Sequence, residues 1–257
     1  MASETSRPAA DLLRRLTIPV GLAVAIVVAV AWYVTWASTD RVMMLRAPAV
    51  AGPTDLALFF ALIVVMMVAM MVPSALPMIL AYHGLTRLEA GRPAKRADPA
   101  ATAAFVAPYL LVCGAFGIAA LLGLMALGIL GPWSGVYVLV PAATLVAAGL
   151  WQVTRTKEVC LSHCQSPTFF VLHHWRSGRL GAVRMGLRHA VYCIGCCWLF
   201  MLVLFVAGSM SLLWMGGLSL AIFAEKVGLQ PALISRVIGI LLVGIGIVFA
   251  AQAVFAG

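Results

Sequence analysis

The sequence predicts an all-α fold, a polytopic bundle of transmembrane helices, and three observations predict it. Hydrophobic residues fill 64% of the 257 positions and charged residues only 10%, whereas charged residues make up roughly 25% of an ordinary soluble domain. Several apolar windows are as long as the roughly 20 residues a helix needs to cross a hydrocarbon core. Lysine and arginine collect in alternate intervals between those windows.

The windows are residues 16–36, 56–82, 103–130, 136–153, a long stretch over 189–224, and 233–255. The first follows Arg14 and Arg15 like a signal peptide, but it is too long for a signal h-region. Trp32, Tyr33 and Trp36 near its end suit the lipid–water interface, so it reads as a retained anchor. The stretch 189–224 is long for one span and short for two, and Gly208-Ser209-Met210-Ser211 is its natural break. A turn there makes seven spans, the preferred count; without it a single tilted helix makes six.

The basic residues orient the bundle, since the retained side of a bacterial-type membrane protein is the basic side. Fifteen of the seventeen lysines and arginines lie in the N-terminal tail and in the 83–102, 154–188 and 225–236 intervals. Only Arg41 and Arg46 lie on the other side, beside Asp40 and Asp55. The expected arrangement is a cytoplasmic tail over 1–15 and one helical membrane domain over 16–256, with a basic Cys/His cytoplasmic loop at 154–188. This places a multi-pass protein in a bacterial-type inner (cytoplasmic) membrane with its N-terminus in the cytoplasm. The net charge of +9 is then a topology signal with anionic membrane lipid as its partner. Nucleic acid is excluded as a partner, because no basic stretch interleaved with stacking aromatics forms a soluble module.

The chemistry is carried by sulfur. Five of the six cysteines, Cys160, Cys164, Cys193, Cys196 and Cys197, fall within one short part of the chain. Cys193, Cys197 and Met201 stand four apart, one stripe on a helix, with Cys196 one position round. His163 lies between Cys160 and Cys164, and His173 and His174 follow beside Trp175, Arg176 and Arg179, a setting that suits the headgroup interface. Cys113 stands alone in the third window and reads as packing. In the second window Met67 and Met71 form one face pair and Met66 and Met70 another. Pro73 and Pro77 follow, so the carbonyls of Ala69 and Pro73 lose their helical donors. Thiolates and thioethers are soft donors that select Cu(I), while the thiolates also suit zinc. Met210 and Met215, near the turn after the fifth span, join as outer ligands, as do Met43 and Met44 on the same side.

Three runs carry a resemblance to a known family: Lys157-Glu158-Val159-Cys160-Leu161-Ser162-His163-Cys164-Gln165-Ser166-Pro167, then Gly186-Leu187-Arg188-His189, then Tyr192-Cys193-Ile194-Gly195-Cys196-Cys197-Trp198. With Gly208, Met210, Trp214-Met215, Glu225-Lys226 and the Met66–Ser74 segment, they resemble the predicted metal-binding integral membrane proteins classed as domain of unknown function 2182. The resemblance covers roughly residues 50–250. It implies a metal-binding, copper-chaperone-like role. Gln165 stands where the family pattern has Arg.

Residues and resemblance together give an integral membrane protein that captures and relays Cu(I). Thioether donors lie towards the outside and thiolates towards the cytoplasm, so ligand strength rises inward. Its partners are the metal ion, lipid, and a copper-accepting protein or metalloenzyme in assembly. No HExxH, phosphate loop or GxSxG is present, and the chain reads as no enzyme. Glu225 beside Lys226 reads as an interfacial cap or ion pair. Two other classes remain open: a membrane thiol:disulfide oxidoreductase using the vicinal cysteines, and a passive subunit holding structural zinc.

Overall fold

A computed structural model describes residues 6–39, 52–86, 98–129, 139–206 and 211–255. Met43, Met44, Met210 and most of the 208–211 break lie outside the described residues. Nine α-helices and no strand form among the described ones: α1 Ser6–Ala37, α2 Pro53–Leu85, α3 Pro99–Ala126, α4 Val140–Trp151, α5 Arg155–Gln165, α6 Pro167–His173, α7 Gly178–Val206, α8 Leu212–Val227 and α9 Pro231–Phe255. The fold is a helical bundle. α1, α2, α3, α7 and α9 are long and apolar enough to cross a membrane.

Local chemistry sets the helix starts. Asp98 caps α3 by accepting from the backbone N–H groups of Ala100 and Ala101 at 2.9 and 3.1 Å, and Pro99 follows where no N–H is needed. Thr154 caps α5 through its hydroxyl, which accepts from the Lys157 N–H. α2, α6 and α9 each begin on a proline.

Every expected window contains a helix, with three differences. The window at 136–153 gives only the twelve residues of α4. The 154–188 interval is no open loop, because it folds into α5, α6 and the first turns of α7. α7 and α8 are separate helices on either side of the expected break.

α7 is the centre of the bundle, packed by α3, α4, α5 and α8, while α2 is flanked by α1, α3, α6 and α8. α3 and α7 approach closely at Gly186, which lies against the Phe105 carbonyl where a β-carbon would collide with it. Small residues are what allow helix backbones to touch in a membrane. The outer surfaces of α1 and α9 are apolar and exposed, with Leu22, Ile26, Val30, Ile240 and Ile247 all facing outward. Tyr33 and Trp36 are exposed near the end of α1. An exposed apolar surface of this extent marks contact with lipid or protein.

Candidate metal centre

The four-residue spacing on α7 stacks His189, Cys193, Cys197 and Met201 on one face, and each is at most 2% exposed. Cys196, beside them, is equally buried. The thiols of Cys196 and Cys197 donate to the Cys193 carbonyl at 3.1 and 2.8 Å, which holds both side chains along the helix.

α2 brings the methionines against this column. Met66, Met67, Met70 and Met71 are all buried, and the Met71 Sδ lies 3.9 Å from the Cys197 Sγ. Met67 turns towards α3, its thioether resting on Gly117. Met66 faces the other way and, with Met215 of α8, lines a small cleft closed by Thr35, Ser38 and Thr39 at the end of α1. The prolines of α2 leave its helix continuous, and carbonyls just before them are used by neighbours. That of Met71 accepts from the Ser74 and Tyr109 hydroxyls at 2.9 and 3.3 Å, and that of Met70 from Ser219 at 3.4 Å.

α5 supplies the remaining thiols from outside the long helices. Cys160 and Cys164 stand four apart and face α7. The Cys160 sulfur lies over Gly195, where an added β-carbon would be 2.7 Å from it, and the Cys164 thiol bonds with Cys196. Burial, with Cys196 nearby, pushes the Cys160 thiol up. The hydrogen bond with Cys196 and then burial hold the Cys164 thiol well above its ordinary value.

The remaining expected ligands are placed as follows. Met201 and Met215 are buried. His163 lies flat on Tyr192, ring centroids 4.1 Å apart, with its Nδ1 2.8 Å from the Val159 carbonyl. It therefore lies at the α5–α7 contact. His173 stacks on Phe169, and the His174 Nδ1 lies 3.0 Å from the Phe170 carbonyl.

Several groups that reasoning from sequence passed over also belong to the cluster. The Lys226 ammonium, 6% exposed, donates to the Cys193 Sγ at 3.0 Å and to the Ser74 hydroxyl at 3.1 Å. The Tyr109 hydroxyl lies 3.3 Å from the same sulfur. Cys113, buried on α3, shares a hydrogen bond with Cys193. Glu225 does not cap an interface; it is buried and paired with Lys157 at 2.7 Å. Lys157 also bonds Gln152 and lies over the Phe200 ring, while the Gln165 side chain donates to the Glu225 carbonyl at 2.7 Å. One signal was available, since an ionisable residue inside an apolar segment is a functional candidate by default. Glu225 and Lys226 are adjacent in sequence, which makes each look like the other's partner.

Chemically, the sulfurs gather in neighbouring pairs: Cys193 with Cys113, Cys164 with Cys196, Cys197 with Met71. All six cysteines are free thiols. Among the described residues no three His, Cys, Asp or Glu side chains converge as a ready metal site. Thiolate and thioether donors are soft, a chemistry that suits copper.

Residues 60–249, from α2 into α9, match the model of a family described as copper chaperone, PpoB2. The chain belongs to this copper chaperone family. The matched segment contains every sulfur of the cluster just described. No curated protein and no solved structure matches the chain.

Proposed function

We propose that this chaperone is an integral membrane protein that takes up Cu(I) through methionine thioethers and passes it to the cysteine thiolates for delivery to an accepting protein. The observation that carries this reading is the 3.9 Å approach of the Met71 thioether to the Cys197 thiol. It joins the methionine row of α2 to the cysteine column of α7. Both donor types are soft, so an ion selected by one is also held by the other.

The cleft lined by Met66 and Met215 is the mouth in this reading, and Cys160 and Cys164 on α5 form the far end. Thioethers are neutral and thiolates anionic, so each step from methionine to cysteine is downhill. The role is non-enzymatic, and copper is cargo.

The test is a competition titration of the reduced, detergent-solubilised protein with Cu(I) and with zinc. The native chain is expected to hold Cu(I) far more tightly than zinc, and replacing Cys193, Cys196 and Cys197 together by Ser should abolish that preference. Equal retention of the two metals by the native chain, or undiminished Cu(I) binding by the triple variant, would overturn the reading.

A further inference from the structure

His189 is a buried imidazole with nothing to bond among the described residues. It stands one helical turn before Cys193 and is 2% exposed, and neither Nδ1 nor Nε2 has a hydrogen-bond partner among the described residues. Three rings enclose it: Tyr109 and Phe105 stack at centroid distances of 5.1 and 6.0 Å, and Phe170 presents its edge at 5.8 Å. A neutral imidazole offers one N–H donor and one lone pair, and withdrawing both from water without replacement is costly. A phenylalanine would complete the aromatic box without that cost. A buried polar side chain left in this state requires a specific explanation, and an ion that comes and goes is one.

The position names the donors. Side chains four apart on a helix have β-carbons about 5–6 Å apart, so the imidazole shares its face with Cys193 and then Cys197. Tyr109 ties the two residues together, its ring against His189 and its hydroxyl 3.3 Å from the Cys193 sulfur. The soft or borderline donors on this stretch of the face are the Cys193 sulfur and the imidazole nitrogens. Imidazole and thiolate are both copper ligands.

We propose that His189 is a copper ligand, forming with Cys193 a mixed imidazole–thiolate station at the end of the α7 column opposite Met201. This rests on the copper reading above. The imidazole gives its free lone pair to the metal, and the Cys193 thiol gives its proton to solvent.

The test is X-ray absorption at the copper edge on the full-length, reduced protein saturated anaerobically with Cu(I). The native chain is expected to show a sulfur shell together with imidazole scattering. H189F should lose the imidazole scattering and keep the sulfur shell. A second variant, with His83, His163, His173 and His174 all changed to Gln, leaves His189 as the last of the five histidines and should keep the scattering. That variant decides the matter if H189F does not fold. A sulfur-only shell in the native chain, persistence of the imidazole signal in H189F, or its loss in the four-histidine variant would overturn the inference while leaving the copper reading standing. Absence of bound copper in the native chain would overturn both.

Discussion

Lys226 places a buried cation 3.0 Å from the Cys193 sulfur. Cu(I) held by two thiolates carries a net negative charge, which is expensive in a low-dielectric interior unless a counter-charge is built in. The ammonium supplies it and also satisfies the Ser74 hydroxyl. Hydrogen bonds to charged groups contribute about 1.5–3 kcal/mol, and 1.4 kcal/mol is about tenfold in affinity. K226Q should therefore weaken Cu(I) binding by roughly ten- to a hundredfold, read by competition against a Cu(I) chelator; unchanged affinity would make Lys226 a packing residue. Cys160 and Cys164 carry a separate expectation. Both thiols are held above their ordinary range, so both are protonated near neutrality, and metal binding must displace those protons. Copper loading should acidify a weakly buffered sample and strengthen as pH rises, and the C160S/C164S variant should release fewer protons.

The residues that sequence alone brought forward were those whose spacing mattered within one helix. The four-residue rows of α7 and α2 were legible because helical periodicity is local. Lys226, Tyr109 and Cys113 were not, because each reaches Cys193 from a different helix, and such contacts have no signature in sequence spacing. The pairing of Glu225 was misjudged for the same reason: its partner Lys157 is far away in the chain, while Lys226 is next to it.

At the scale of elements, α2 and α5 make separable contributions. Changing Met66, Met67, Met70 and Met71 together to Leu keeps volume and apolarity, a swap that usually costs less than about 1.5 kcal/mol per site, so α2 should still pack. In proteoliposomes, copper added from the methionine side should then reach the cysteines slowly or not at all. Copper added from the α5 side should bind as in the native chain. Equal delivery from both sides would reduce the row to packing. α5 is fastened differently, by a buried ion pair whose members are 1% and 2% exposed. Removing one member of such a pair strands a charge, at a cost of about 3–5 kcal/mol. E225Q should lower thermal stability markedly in detergent, and the double change K157M/E225L should recover much of the loss. If the double variant is the least stable, the pair itself and not the stranded charge is what stabilises the fold.

For the whole molecule, the helices fix the side on which the chain ends. α7 starts at Gly178, a few residues after α5 and α6, and runs towards Val206. α8 begins beside the end of α1, since Met215 shares a cleft with Thr35, Ser38 and Thr39. It returns to α5, where Glu225 meets Lys157. The sixteen residues of α8 extend about 24 Å at roughly 1.5 Å each, close to the hydrocarbon thickness of about 30 Å, so the short helix is long enough for most of that return. α9 then starts again on the α5 side, because Pro231, Ala232 and Ser235 line one cavity with Thr154 and Lys157. From there it leads away over 25 residues. Its far end therefore lies on the side where α1 finishes, opposite the side where α1 starts. Basic residues gather on the α5 side, including Arg155, Arg176, Arg184, Arg188 and Arg236, and the bias of membrane proteins towards basic retained loops makes that side the expected cytoplasmic one. The expected outcome is a C-terminus outside the cytoplasm. A reporter fused there that is active only after export should be active, and one that is active only in the cytoplasm should be silent. The reverse result would mean that one of the two short helices, α4 or α8, fails to cross, and it would put the methionine mouth and the cysteine terminus on sides other than those the relay requires.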